Sequence, residues 1–163
     1  MIKSYENQIL ICSSCSEQIS KPVQISHERK SAIQFLGNYD WPASKGLKAP
    51  SEGIAVFGYA DGWHHNHPEE LWDDLRAGVW INLKDLQKSV ETIDLRHAKY
   101  DYGCCGLDGW RTGSNRLCIC GEFVGTEFSD CDTIHAFVPD NEKTKWQNVK
   151  SCLLYTSPSP RDS

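Results

Sequence analysis

Two pairs of cysteines, separated by most of the chain, have the spacing of metal-binding turns. The first pair is C-S-S-C, from Cys12 to Cys15, and the second is C-I-C, from Cys118 to Cys120. An apolar residue precedes each pair, and a small residue followed by glutamate comes after it. Each segment is therefore predicted to be a strand that turns through a thiolate-bearing knuckle. We call Cys12–Cys15 the first knuckle and Cys118–Cys120 the second.

Two facing knuckles supply four sulfur atoms, which is the tetrahedral ligand set of a structural zinc site. The predicted zinc ligands are Cys12, Cys15, Cys118 and Cys120. C-x-x-C is a common half-site, whereas C-x-C is less usual because alternate residues share one face only while the chain is extended. Gly121 would allow the tight backbone that lets amide groups point at the thiolates.

Spacing alone leaves the ligand pairing open. Cys12 and Cys15 could instead be ordinary buried thiols, or a redox pair, although they lack the helix start that activates such a pair. A mixed set is a further alternative, in which Cys104 or Cys105 joins one cysteine of the second knuckle.

A second metal site is a candidate among the remaining cysteines and a nearby histidine. Its residues are Cys104, Cys105, Cys131 and His135. If 133–138 is a strand, Cys131 and His135 lie on the same face of it. In the competing interpretation, the adjacent cysteines support tight turns and the histidine belongs to the core. A Cys131 nucleophile with His135 as base lacks an orienting group and an oxyanion hole in the sequence.

Three histidines in the segment GWHHNHP form the other cluster of potential ligands. His65 and His67 would share a face of an extended segment, and His64 lies beside them. The neighbouring carboxylates are Asp61, Glu69 and Glu70. This group gives the alternative function, a metal-dependent hydrolase. The segment lacks the His-Glu-x-x-His pattern, and a solvated loop is the more common outcome for such a segment.

The composition argues against nucleic acid and membranes as partners. The chain carries 17 Lys and Arg against 22 Asp and Glu, a formal net charge of −5, with the basic residues scattered among acidic ones. No basic patch of the kind that binds phosphates is present. No apolar run reaches the length of a membrane span or a signal-peptide core. We therefore expect a cytoplasmic protein, in whose reducing compartment clustered cysteines bind metal more often than they form disulfides.

The ligands must be positioned by short strands. Strands are predicted over 8–12, 18–25, 32–36, 53–60, 79–83, 118–126 and 133–138. Short helices are predicted over 68–76 and 83–90, the second capped by Asn82. The expected fold is a β-rich α+β domain with one or two short helices. In it, a zinc ribbon-like element joins the N-terminal hairpin to a C-terminal β-hairpin.

The domain is expected to span residues 1–151. The last segment, 152–163, reads CLLYTSPSPRDS and resembles the conceptual translation of a sequencing adapter. We interpret it as a non-native tail and exclude it from the fold.

A larger block around the second knuckle resembles part of a known group of proteins. It comprises GCCGLDG at Gly103–Gly109, Asn115, CICG at Cys118–Gly121, GTE at Gly125–Glu127, SDC at Ser129–Cys131, and His135. Together with the N-terminal C-x-x-C, this block resembles small uncharacterised bacterial Cys-rich proteins. The resemblance implies a bacterial origin and zinc binding, and it carries no activity. One departure is Asp132, which occupies a position where that group has tryptophan.

The predicted function is therefore a structural zinc-binding domain that recognises another protein. No residue is assigned a catalytic role, and the sequence leaves the oligomeric state open. Zinc ligation would be part of folding, because segment 101–131 holds six of the twelve glycines and has little apolar surface to bury.

Overall fold

Short β-strands make up most of the regular structure in the computed structural model, which describes residues 7–26, 33–35, 48–57, 78–93, 106–130 and 134–149. The strands are β1 (Gln8–Cys12), β2 (Gln24–Ser26), β3 (Ile33–Phe35), β4 (Lys48–Pro50), β5 (Ile54–Phe57), β6 (Val79–Trp80), β7 (Glu91–Thr92), β8 (Arg116–Leu117), β9 (Phe123–Phe128), β10 (Ala136–Pro139) and β11 (Thr144–Asn148). One helical turn, α1, spans Gly109–Thr112.

The strands pair mainly with partners that are distant in sequence. β1 pairs antiparallel with β11, and its other edge meets the returning chain through the Ile11–Gln18 and Gln8–Val23 bridges. A four-stranded sheet has the order β10-β9-β8-β7, and a three-stranded sheet has the order β2-β5-β6. A bridge between Ile81 and Phe137 connects these two sheets. β3 and β4 form a separate antiparallel pair.

The hydrophobic core includes one cysteine from each knuckle. Its fully buried members come from β1, the segment after the first knuckle, β5, the position after β6, β9 and β10; they include Leu10, Ile19, Val23, Ala55, Ile81, Val124 and Phe137. Trp80 and Phe128 stack with their ring centroids 5.1 Å apart. Cys12 and Cys118 belong to the same cluster. The two knuckles are therefore anchored in the apolar interior through their first cysteines.

The predicted α+β class is wrong, because helix is almost absent from the described residues. The helix expected over 83–90 is only a 3₁₀ turn, Leu83–Asp85, although Asn82 does cap it by accepting from the Lys84 amide at 2.9 Å. Leu86 is already extended. The other predicted helix, over 68–76, lies outside the described residues.

The predicted helix over 83–90 does not form because backbone groups of this segment hydrogen-bond to the segment after the first knuckle. Leu86 bridges Ser20, and the Gln87 amide donates to the Ile19 carbonyl at 2.9 Å. These tertiary bonds replace the i to i−4 bonds that would have continued a helix. Local propensity is a weak preference that such pairing overrides.

Several predicted strands are present, and most of them have shifted limits. The strand at Gln8–Cys12 has the predicted bounds, whereas the apolar run 53–60 is a strand only over Ile54–Phe57. The strand expected over 118–126 begins later, at Phe123, because the cysteines occupy a turn. No helix in the described ranges has the length and apolar character needed to cross a membrane. That 1–151 forms a single domain stays a prediction.

Candidate metal centre

The first knuckle is a tight turn between β1 and the segment that pairs back onto it. The Cys12 amide donates to the Glu17 carbonyl at 2.9 Å, and the Ser16 amide donates to the Cys12 carbonyl at 2.9 Å. Closing this turn places Ser16 in the left-handed region, at φ 66°. Backbone amides of Ser14 and Cys15 hydrogen-bond the Cys12 sulfur. The backbone thus points N–H groups at the sulfur, as a bound thiolate requires.

The second knuckle repeats this plan between β8 and β9 with one residue fewer. The Cys118 amide donates to the Glu122 carbonyl at 2.9 Å, and the Gly121 amide donates to the Cys118 carbonyl at 2.8 Å. Gly121 takes the left-handed conformation, at φ 94°. The Cys120 amide hydrogen-bonds the Cys118 sulfur. The similarity of the two sequences therefore reflects a similarity of backbone.

The four sulfur atoms of the two knuckles converge on one point. Cys12 Sγ lies 3.7 Å from Cys120 Sγ, and Cys15 Sγ lies 3.5 Å from Cys118 Sγ. All four sulfurs lie within 4.8 Å of one another. Tetrahedral zinc with Zn–S bonds of about 2.3 Å places its sulfurs about 3.8 Å apart. The arrangement is therefore the size of a four-thiolate metal site.

Burial divides the four cysteines into two kinds. Cys12 and Cys118 are buried, whereas Cys15 and Cys120 are exposed. Burial raises the pKa of Cys12, but hydrogen bonds from backbone amides and from Cys120 outweigh it, so that this pKa is lowered overall. Burial raises the pKa of Cys118 to about 12, with further contributions from the neighbouring cysteines.

Crowding of the sulfurs opposes full ionisation without a cation. At Cys15 the backbone hydrogen bond from Glu17 lowers the pKa, but desolvation and the adjacent Cys120 and Cys12 raise it overall. Several thiolates a few ångströms apart repel one another, and a divalent cation at their centre removes that penalty. The cluster therefore favours metal binding that displaces protons from the thiols.

A third turn, 140–144 between β10 and β11, braces both knuckles. The Ser13 amide donates to the Lys143 carbonyl at 2.9 Å, and Lys143 Nζ lies 3.5 Å from Glu122 Oε2. Asp140 Oδ1 accepts from the amides of Glu142 and Lys143, at 2.8 and 3.2 Å. The turn thus contacts both sides of the site, through a backbone hydrogen bond to the first knuckle and a partly exposed ion pair beside the second.

A buried polar network anchors the strand that enters the second knuckle. Arg116 donates through Nε to Glu127 Oε1 at 2.6 Å and through Nη1 to the Val90 carbonyl at 2.6 Å. Ser129 Oγ donates to the other oxygen, Glu127 Oε2, at 2.5 Å. The fully buried Asn115 side chain accepts from the Glu127 amide at 2.7 Å and donates to its carbonyl at 3.0 Å. Every charged atom in this network has a partner, which is the condition for burying an ion pair.

The sequence predictions did not assign this network any role. Asn115 and the G-T-E segment were noted only as part of the resemblance. The predictions carried no signal for it, because Arg116 and Glu127 lie on either side of the single strand predicted over 118–126.

Two large apolar side chains are exposed in the described part of the chain, and both belong to the second knuckle's hairpin. Ile119, between the two cysteines, is 70% exposed, and Phe123, at the start of β9, is 41% exposed. Single exposed apolar residues are common on protein surfaces, so the notable feature of these two is that both lie beside the four cysteines.

The other predicted ligands are not assembled by the described residues. Cys104, Cys105 and Cys131 lie outside the described ranges, so the second site and the mixed ligand set stay predictions. His135 is described, and its Nε2 lies 3.0 Å from the Asp130 carbonyl. His64, His65 and His67 also lie outside the described ranges, as does the tail over 152–163.

The comparisons with known proteins add no relative. No protein-family model matches the chain, and no match is found among curated proteins or among solved structures.

Proposed function

We propose that this protein is a structural zinc-binding domain, in which zinc joins the first knuckle to the hairpin of the second. The observation that carries the proposal is the convergence of Cys12, Cys15, Cys118 and Cys120 within 4.8 Å. The two pairs of ligands are separated by more than 100 positions in the sequence. One ion would therefore connect β1 to the β8–β9 hairpin.

The donor set favours zinc in a structural role. Four thiolates in a tetrahedral arrangement suit zinc or iron, whereas calcium and magnesium prefer oxygen ligands. Zinc sites with four protein ligands are closed, while catalytic zinc keeps one position for water or substrate. Amide hydrogen bonds to the Cys12 and Cys118 sulfurs supply the outer contacts that hold thiolates in place. The thiolates must stay reduced, so we place the protein in the cytoplasm.

We further propose that the second knuckle recognises a protein partner. Ile119 and Phe123 offer apolar contact beside the metal, where zinc with four thiolates carries a net negative charge. Exposed Glu17 and half-buried Glu122 add to that charge, and Lys143 offsets part of it. A partner with an apolar pocket bordered by Lys or Arg matches both features.

Elemental analysis combined with chelation tests the metal assignment. The purified protein should contain one zinc per chain and be colourless, since a four-thiolate iron site would absorb visible light. A strong chelator should lower the melting temperature by tens of degrees, because structural zinc contributes roughly 10–16 kcal/mol of binding free energy to folding. A metal-free preparation with an unchanged melting curve would contradict the proposal.

Site-specific photo-crosslinking tests the partner assignment. A photoreactive residue at position 119 should form an adduct with another protein in cells, and Phe123→Ser should abolish it. The control is the same photoreactive residue at position 84. The Lys84 side chain is 77% exposed, and position 84 is distant from both knuckles in the sequence. Equal crosslinking at positions 119 and 84 would show that the second knuckle does not recognise a protein partner.

A further inference from the structure

Each of the two close sulfur contacts joins an exposed cysteine to a buried cysteine of the other knuckle. Exposed Cys120 lies 3.7 Å from buried Cys12, and exposed Cys15 lies 3.5 Å from buried Cys118. A reagent in solution reaches the first member of each pair, and the second member lies behind it. This is the arrangement of an attacking thiol beside a resolving thiol.

We propose that the four-cysteine cluster is a modification site for hydroperoxides, at which two disulfides replace the zinc and join the same two knuckles. The inference rests on the proposed zinc site and adds the chemistry that removes the metal. Cys15 and Cys120 are the oxidised residues, and Cys118 and Cys12 are their resolving partners. Disulfide formation then pairs Cys15 with Cys118 and Cys120 with Cys12.

The reaction balances with hydrogen peroxide as the oxidant. An exposed thiolate attacks one peroxide oxygen, the O–O bond breaks, and the sulfur becomes a sulfenic acid while the other oxygen leaves as water after protonation. The buried thiolate then attacks the sulfenic sulfur, the S–O bond breaks, and a second water leaves. Two peroxides and four protons thus convert four thiolates into two disulfides and four waters, and zinc is released as Zn²⁺.

The short contacts favour disulfides between the knuckles over disulfides within them. An S–S bond is about 2.05 Å long, so sulfurs 3.5–3.7 Å apart need to approach by only about 1.5 Å. A disulfide inside the second knuckle would connect Cys118 to Cys120 across a single residue. It would compete with the turn that the Gly121 amide closes on the Cys118 carbonyl.

Disulfides between the knuckles would preserve the connection that zinc makes. Both forms close the long stretch of chain between the first and second knuckles, and closing a long loop restricts the unfolded state. The fold therefore survives loss of the metal, while the negative charge of the zinc centre disappears. Oxidation changes the surface beside Ile119 without releasing β1 from the hairpin.

Peroxide titration of the zinc-loaded full-length protein tests this inference. Two equivalents of hydrogen peroxide should release all of the zinc, measured with a chromogenic chelator, and the β-sheet circular dichroism should persist. Trypsin cleaves after Arg29 and Arg116 and leaves the knuckles on separate peptides. Without reduction these peptides should stay joined, and fragment ions should assign Cys12 to Cys120 and Cys15 to Cys118. Reductant with added zinc should restore the original protein.

Two variants, each oxidised without metal, test which cysteine of each pair reacts with peroxide and which one resolves the sulfenic acid. With Cys118→Ser, peroxide should leave Cys15 as a sulfenic acid that dimedone traps, and with Cys12→Ser the trapped residue should be Cys120. Cys152→Ser is the matched control, and its zinc release and peptide map should equal those of the parent protein.

The outcomes distinguish this inference from the proposed function. Zinc-loaded protein that forms Cys12–Cys15 and Cys118–Cys120 disulfides, or that unfolds on oxidation, would overturn the inference and leave the zinc site standing. Reduced protein that binds no zinc would overturn the proposed function itself.

Discussion

The two knuckles form similar turns although the spacing of their cysteines differs. In each, the amide of the first cysteine bonds the carbonyl of a following glutamate, and a left-handed residue closes the turn. The first knuckle has two residues between its cysteines and uses Ser16 in the left-handed position, whereas the second has one and uses Gly121. The geometry that aims the sulfurs is therefore a property of the turn and tolerates a change in cysteine spacing.

The surfaces of the two knuckles differ more than their backbones. Residues 13–17, which lie in and directly after the first knuckle, are all exposed and consist of serines, Cys15 and Glu17. The second knuckle exposes Ile119 and Phe123 instead. Metal binding is thus shared between the knuckles, while the apolar contact surface belongs to one of them.

The largest expected effect comes from removing the buried ligand of either knuckle. Cys12→Ser and Cys118→Ser should each abolish stoichiometric zinc binding and remove most of the roughly 10–16 kcal/mol that structural zinc contributes to folding. The two losses should be similar, because each knuckle supplies half of one site. Elemental analysis and chemical denaturation with and without zinc measure them. Zinc retained at full occupancy in one variant would mean that a single knuckle binds the metal by itself.

The ion pair that anchors the second knuckle should give the next largest effect. Arg116→Met leaves Glu127 buried without its charged partner and should cost about 3–5 kcal/mol in the free energy of unfolding. The pair's side chains are only 17% and 10% exposed. Lys84→Met is the matched control, since its partner Glu52 and Lys84 itself are 56% and 77% exposed and such pairs contribute about 0–1 kcal/mol. Equal losses in urea denaturation would contradict the assigned role of Arg116.

Zinc affinity should fall steeply as the pH falls. The pKa values of Cys15 and Cys118 are raised without metal, that of Cys118 to about 12, so zinc must displace both protons at neutral pH. Affinity should therefore rise by at least about 100-fold per pH unit between pH 6 and 8, at about tenfold per displaced proton.

The pH dependence of the protein's stability should have opposite signs in the metal-free and the zinc-bound forms. In metal-free protein the raised pKa of Cys118 gives stability that is present below its ordinary pKa of 9.0 and is lost as the pH rises towards 12. With zinc bound, the ligand pKa values are depressed, and stability is lost as the pH falls.

Competition with a chelator of known pH behaviour measures the zinc affinity at each pH. An affinity that does not change between pH 6 and 8 would mean that the thiols are already ionised.

The smallest expected effects come from the left-handed residues that distinguish the knuckles. Gly121→Ala should cost about 1–2 kcal/mol, because a side chain strains the left-handed backbone even though the space around it is open. Ser16→Gly should instead stabilise the protein by up to about 1 kcal/mol, since it relieves the same strain. Thermal unfolding of the two variants gives the comparison. If both substitutions changed the thermal stability in the same direction, the two left-handed residues would not have equivalent roles.

Paired spacing and a repeated flanking pattern, which are local signals, predicted Cys12, Cys15, Cys118 and Cys120 as one candidate set, and these four cysteines do lie together. The sequence also predicted β1 and the Asn82 cap, which depend on neighbouring residues. The α+β class failed at 83–90, where backbone pairing with Ile19 and Ser20 removed a helix. Such pairing between distant segments leaves no local trace in a single sequence.

The surroundings of the site were less predictable than its ligands. Arg116 and Glu127 meet only because β8 and β9 adopt a particular register, with Arg116 opposite Gly125 and an irregularity beside it. The brace from the 140–144 turn likewise depends on β11 lying beside β1. The exposure of Ile119 follows from the tightness of the C-x-C turn, which projects the intervening residue outwards.

X-ray absorption spectroscopy at the zinc edge tests the central claim most directly. The zinc-loaded protein should show four sulfur neighbours at about 2.3 Å and one zinc per chain. Substitution of Cys15 or Cys120 should change this shell, because each knuckle contributes two ligands. A shell containing nitrogen or oxygen, or an unchanged four-sulfur shell after either substitution, would contradict the account.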